Sequence, residues 1–277
     1  MTMATLSEVL TPCLTDGTAV AGLVVLGWED AVAFVRAAEA EGRPVILQAG
    51  PGARAHTPLA ILGAMFRNLG EGAGVPVVAH LDHGENLYVC RAAIDCGFTS
   101  VMYDGSALPL AQNIERTRQV AALAHRHGLS VEAELGVVGY HNGTSSTGTE
   151  PDEVAQFVRE TGVDALAVSV GNSHLMTHGG ALVDRARLDA IQAAAAGLPL
   201  VLHGGSGVDP ILRRLLAHQT SVCKFNIGTE LRQVFGQSLR AAMLRDPKVF
   251  DRITLLRETM DPMTAAARAI IQTLCQD

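Results

Sequence analysis

The stretch VVAHLDHGENL, residues 77–87, runs from Val77, Val78 and Ala79 into His80, Asp82 and His83. A short apolar run bounded by turn residues fits a strand buried on both faces of a parallel sheet. Such a strand ends in two imidazoles and a carboxylate only where its end faces a shared site. The two-residue period puts His80 in phase with Asp82 and out of phase with His83. All three reach one site only if the strand turns or ends near Asp82. His80 is therefore read as a structural residue behind the site, and Asp82 and His83 as strand-end residues. His56, His125, His127 and His218 are read as solvent-exposed.

Working outward, seven more short apolar runs resemble this one. They are AVAGLVV (19–25), PVILQAG (44–50), SVMYDGS (100–106), SVEAELG (130–136), ALAVSVG (165–171), LPLVLHGG (198–205) and VCKFNIG (222–228), beside VPVVAHLD (75–82) itself. Longer amphipathic segments lie between them, among them WEDAVAFVRAAEAEG, LAQNIERTRQVAALAHRHG and PDEVAQFVRETG, each closed by the glycine usual past a helix end. Strand–helix alternation means a parallel sheet, and eight units predict an α/β fold, a single (β/α)8 TIM barrel domain over 1–277. The doubly wound open sheet is the rival, but no G-x-G-x-x-G opens an early helix. The longest irregular piece, GYHNGTSSTGTEP (139–151), follows the fifth strand as a surface loop or a lid.

The totals suit that fold. The chain has 277 residues, 48 % hydrophobic and only 4 % aromatic, with a formal net charge of −7. No basic tract offers a nucleic-acid surface, and no window approaches the roughly 20 apolar residues of a membrane span. The five cysteines, Cys13, Cys90, Cys96, Cys223 and Cys275, are scattered without C-x-x-C spacing. They read as reduced core thiols of a cytoplasmic protein, and MTMATLSEVL lacks a secretory leader.

Polar residues collect at the ends of these strands. Asp82 and His83 end the third, Asp104 the fourth and Glu134 the fifth. His174 follows the sixth, His203 ends the seventh, and Asn226 ends the eighth. In a barrel these ends converge on one face. Three histidines from three strand ends suit a catalytic metal with an open coordination position. GGSG after the seventh strand and NIGT after the eighth lie where many barrels bind phosphate through backbone amides, with Ser206 and Thr229 as hydroxyl donors.

With these pieces in place the chain resembles the class II, metal-dependent ketose-bisphosphate aldolases, in the tagatose- and fructose-bisphosphate branch. HLDHG, SVMYDGSALPLAQNI, VEAELG, DALAVSVGNSH, LVLHGGSG and KFNIGTEL carry the resemblance, in order, from about 75 to 231. It implies a barrel dimer or tetramer with Zn²⁺ held by His83, His174 and His203. Asp82 would be the acid/base, with Asn226 donating to an enediolate oxygen. Asp104 and Glu134 would offer an alternative metal position, or hold a second divalent or monovalent cation. Gly204, Gly205, Ser206, Gly228 and Thr229 would contact phosphate. The far phosphate is often met by an arginine near the C-terminus, here Arg268, sometimes from a neighbouring subunit. The implied reaction cleaves a phosphorylated ketose to dihydroxyacetone phosphate and an aldehyde.

Four departures surround the site. Val24 replaces the asparagine usual in strand one. Gly50 stands where many relatives carry Ser or Thr. GYHNG replaces the loop that carries a catalytic Glu in some relatives, leaving His141 as a loop acid/base or as an ordinary loop residue. Leu175 replaces the commoner glycine after His174. They motivate a second reading, the same metal aldol chemistry on a different or non-bisphosphorylated donor. A barrel metal hydrolase would show His-x-His on strand one, which is missing. A Schiff-base aldolase needs a barrel lysine, and Lys224 lies in strand eight, where it reads as structural.

Overall fold

The computed structural model describes residues 2–139, 145–175 and 180–275. Eight parallel strands close into a barrel in chain order. They are β1 (Val20–Val24), β2 (Val45–Ala49), β3 (Val77–Gly84), β4 (Ser100–Tyr103), β5 (Ser130–Leu135), β6 (Ala165–Val168), β7 (Leu200–Leu202) and β8 (Val222–Ile227). Each apolar run read from the sequence is a strand, so the expected (β/α)8 barrel is the fold.

The helices form for local reasons that the sequence shows. Trp28–Glu41 buries Ala31, Phe34, Val35 and Ala38 on one face, the spacing of an amphipathic helix. Glu29 and Asp30 sit in its first turn, where the amide end of the helix favours negative charge. It stops at Gly42, whose φ of 61° is the left-handed cap. Pro151–Thr161 likewise starts on a proline and ends at Gly162 with φ 65°. The long last helix, Arg252–Cys275, packs against Trp28–Glu41.

One core lies between sheet and helices and a second inside the barrel. The inner one joins Val20, Ile46, Val78, Val201 and Cys223 to Leu6, Val9 and Leu10 of an N-terminal helix, Leu6–Leu10. That helix closes the bottom of the barrel. Thr5 and Glu8 form its capping box, and Ser7 is bonded to Ser130 of β5. All five cysteines are free, with Cys13, Cys90 and Cys223 buried. Among the described residues no helix is long and apolar enough to cross a membrane.

Candidate active site

The parity problem of β3 is solved by one extra residue. β3 and β4 pair as Leu81↔Val101 and then Gly84↔Tyr103, so Asp82 and His83 together face Met102. This is a β-bulge. His83 adopts φ 50°, the left-handed region, which costs a non-glycine residue roughly 1–2 kcal/mol. In return, Asp82 and His83 turn to the same side. His80 stays below them, fully buried.

His83, His174 and His203 meet at the C-terminal mouth. Their ligand atoms all lie within 4.8 Å of one another. Nε2 of His83 is 3.0 Å from Nδ1 of His203, and the His174 ring centre lies 5.3 and 5.5 Å from those of His83 and His203. Ligands at 2.0–2.1 Å on a tetrahedral ion stand roughly 3.3 Å apart, so the donor set fits a zinc-sized cation. The outer partners fit as well. Nδ1 of His83 is 2.8 Å from Asp104, and Nε2 of His203 is 3.0 Å from Glu132. A carboxylate behind each of these two imidazoles fixes its tautomer and orientation, the usual support of a metal-ligating histidine. His83, Asp104 and Glu134 form a second group that shares His83. Glu134 Oε2 is buried and, among the described residues, has no hydrogen-bond partner.

The electrostatics favour a cation here. Burial pulls His83 down, but Asp82, Asp104 and Glu134 outweigh it and hold its pKa at about 10. Burial, helped by repulsion from Asp104, pushes Glu134 up to about 8. His174 falls to about 4 through burial and the charge of His83, and His203 is held well below its usual value for the same reasons. Burial opposes the charge of Asp82, yet His83, His203 and Lys224 hold its pKa below the usual range. Asp82 is thus an ionised carboxylate. Asn226 Nδ2 donates to its Oδ1 at 3.1 Å.

Beneath this layer lies a dry chain of charges. Lys224 Nζ donates to Glu132 Oε2 at 2.6 Å, and both side chains are 0 % exposed. Glu132 Oε1 faces His203, and Lys224 Nζ is 3.3 Å from His80 Nε2. His80 Nδ1 is 2.9 Å from Ser100 Oγ. His80 and Lys224 both belong to this buried chain, and Lys224 has no exposed surface to offer a carbonyl. Glu132 was not legible as a site residue. Its signal is the alternation in VEAELG, which turns Glu132 and Glu134 the same way.

The loops after β7 and β8 meet through Ser206. Its Oγ accepts from the amides of Gly228 and Glu230, both at 3.3 Å, at the start of the helix Thr229–Arg245. Gly204 has φ 64°, and a Cβ there would lie 2.1 Å from the Ser173 carbonyl, so glycine is required. A small cavity of about 60 Å³ joins Asp82, His174, Gly204, Ser206, Asn226, Gly228 and Thr229, with Val24, Leu175 and Arg232 on its wall. Gly205 lies behind this wall, buried in the turn Gly205–Gly207.

Arg268 is not at this mouth within its own chain. Its Nε pairs with Glu41 at 2.7 Å, and Glu41 ends the helix that runs down from β1, so both lie toward the opposite end of the barrel. The arginine on the cavity wall is Arg232, four residues past Gly228, which the sequence reading passed over. His218 is half-buried against Gly17 rather than exposed, whereas His56, His125 and His127 are exposed. His141 lies outside the described residues. Leu175 has φ 57°, the conformation that the commoner glycine takes without strain.

A model of the class-II fructose-bisphosphate aldolases matches residues 4–277. The chain belongs to that family. It is an aldolase, a carbon–carbon lyase. It is 36 % identical to a fructose-bisphosphate aldolase of Geobacillus stearothermophilus over 96 % of this chain and 94 % of that one. It is 35 % identical to a 6-phospho-5-dehydro-2-deoxy-D-gluconate aldolase of Shouchella clausii over 93 % and 89 %. Among solved structures it resembles the YdjI aldolase of Escherichia coli K12, with a TM-score of 0.86 and 29 % identity, covering 99 % and 98 % of the two chains.

Proposed function

We propose that this aldolase is zinc-dependent and reversibly cleaves a phosphorylated ketose to dihydroxyacetone phosphate and an aldehyde. The observation that carries the reading is the convergence of His83, His174 and His203 beside the ionised Asp82. His83, His174 and His203 hold the ion. Asp104 and Glu134 orient it or supply an alternative position, which a second divalent or monovalent cation could share. Zn²⁺, when bound, supplies Lewis-acid polarisation of the ketone and takes up negative charge.

The chain's own residues do the rest. Asp82 accepts the proton of the hydroxyl on the carbon beyond the breaking bond. That carbon becomes the aldehyde, and the bonding pair stays with the ketone half as an enediolate. In condensation Asp82 returns the proton. Asn226 holds Asp82 Oδ1 and donates toward the enediolate oxygen. Asp82 Oδ2 faces the space beside Gly50, where a Cβ would lie 3.4 Å away. The Gly204 amide, the Ser206 and Thr229 hydroxyls and the start of the helix Thr229–Arg245 bind the donor's phosphate, with Gly205 and Gly228 shaping the loops behind them. Its binding energy orients the reacting carbons.

A second reading keeps this chemistry with a different or singly phosphorylated ketose. Val24 and Gly50 remove polar groups from the mouth, and Arg268 is engaged elsewhere. One relative at 35 % identity is named for a substrate with one phosphate. The test is release of dihydroxyacetone phosphate by zinc-loaded protein from fructose 1,6-bisphosphate, tagatose 1,6-bisphosphate and ketose 1-phosphates. Release from the bisphosphates supports the first reading, and release from monophosphates alone selects the second. Release from none contradicts the dihydroxyacetone phosphate donor. A cytoplasmic homodimer or homotetramer, with one barrel domain per chain, completes the proposal. Exposed Trp28, Ile61, Phe250 and Ile253 support an assembly.

A further inference from the structure

Arg54 belongs to the short helix Pro51–His56, which begins directly after β2. Its side chain is only 10 % exposed. Nη1 donates to the carbonyls of Ala49 at 2.9 Å and Asp82 at 2.6 Å. Nη2 donates to the His83 carbonyl at 3.0 Å and to the Glu85 carboxylate at 2.9 Å. One guanidinium thus binds two successive carbonyls of the β3 bulge.

Those carbonyls need a partner. β2 pairs with β3 only as far as Ala49↔Leu81. Past that point the strand that would have received Asp82 and His83 has turned into a helix. The bulge also leaves the β4 ladder irregular there, and His83 holds a left-handed φ. Strained backbone of this kind persists only where its surroundings over-determine it. On the amide side, His83 N reaches the Met102 sulfur at 3.4 Å, a weak acceptor. The firm backbone restraint is the guanidinium, whose planar fork can meet two carbonyls at once. An ammonium cannot reproduce that geometry.

We propose that Arg54 is a positioning residue for the metal centre. Its guanidinium holds the Asp82–His83 bulge in the shape that turns a proton-transferring carboxylate and a metal-ligating imidazole, adjacent in the chain, into one chamber. This rests on reading His83 as a metal ligand. Arg54 acts through the backbone and touches no reacting atom.

The test is Arg54→Lys, which keeps the charge and loses the fork. Metal-free wild type and variant are titrated with Zn²⁺ against a chromogenic chelator, then loaded with Co²⁺ for visible spectra. We expect Zn²⁺ affinity to fall about 10–100-fold, as for other groups that orient a ligand. The Co²⁺ band should also change, while the metal-free unfolding midpoint stays close to wild type. Glu85→Gln, at the exposed end of the guanidinium, should leave affinity and spectrum unchanged. Unaltered zinc affinity and Co²⁺ spectrum in Arg54→Lys would overturn the proposal, whatever happens to turnover. If that variant does not fold, Arg54→Gln takes its place. Failure of both to fold without metal would also overturn it, by making Arg54 a support of the barrel as a whole. Wild-type protein that binds neither ion would instead overturn the metal reading, and the two failures are distinguishable.

Discussion

Replacing Lys224 by methionine removes one half of the buried ion pair under the metal site. The wild-type contact is 2.6 Å between side chains with no exposed surface. Without Lys224, the Glu132 carboxylate stays in a dry barrel with only the imidazoles of His203, at 3.0 Å, and His80, at 3.5 Å, close to it. Breaking a buried pair from one side costs about 3–5 kcal/mol, because a charge is left uncompensated. For a chain of this size that lowers the melting temperature by roughly 6–20 °C. Glu132→Gln combined with Lys224→Met removes both charges and keeps an acceptor for His203, so the double variant should recover most of the loss. The assay is thermal unfolding of metal-free wild type, both single variants and the double. A Lys224→Met variant within about 1 kcal/mol of wild type would refute the reasoning. So would a double variant as unstable as the sum of the singles.

Asp82→Asn should keep its metal and lose about 10²–10⁴-fold in turnover, the usual range for a general acid/base, checked by metal analysis beside the cleavage rate. His203→Ala should lose bound zinc and activity together, because it removes one ligand of the trio, and retained zinc would contradict that role. The metal-free protein should become less stable from pH 7 to 10. Glu134 and His83 have folded pKa values of about 8 and about 10, above their unfolded ones, so their stabilisation is full at low pH and drains away as pH passes those values. Each extra proton kept by the folded state costs about 1.4 kcal/mol per pH unit. Zinc affinity should rise over the same interval, since zinc must displace these protons; a flat melting profile would contradict the assignment. Treatment with borohydride and dihydroxyacetone phosphate should leave activity intact while a chelator abolishes it, because Lys224 is sealed beneath the site.

The strands were legible because each is a short apolar run between turn residues, and the convergence of strand ends followed from the barrel itself. The site histidines, Asp82, Asn226 and the glycine loops could therefore be placed. The bulge in β3 could only be posed as a parity problem, since an extra residue leaves no mark in composition. Arg54 and Glu132 escaped notice for another reason. Their partners are carbonyls and side chains brought close by the barrel, 28 to 92 residues away in sequence. That Arg268 pairs with Glu41, away from the mouth of its own barrel, was not legible because a helix pattern does not say which end of a long helix reaches the mouth. The N-terminal plug had its signal in the capping box Thr5-x-x-Glu8.

On the proposed reading this mouth makes an enediolate with metal at His83, His174 and His203 and proton transfer nearby. That reading is tested most directly by following dihydroxyacetone phosphate in D₂O by proton NMR, with zinc-loaded protein and with protein treated with chelator. Loss of the carbinol proton signal in the zinc-loaded sample, abolished by chelator and restored by zinc, is the predicted result. No exchange in fully zinc-loaded protein, or exchange that ignores the chelator, would contradict it.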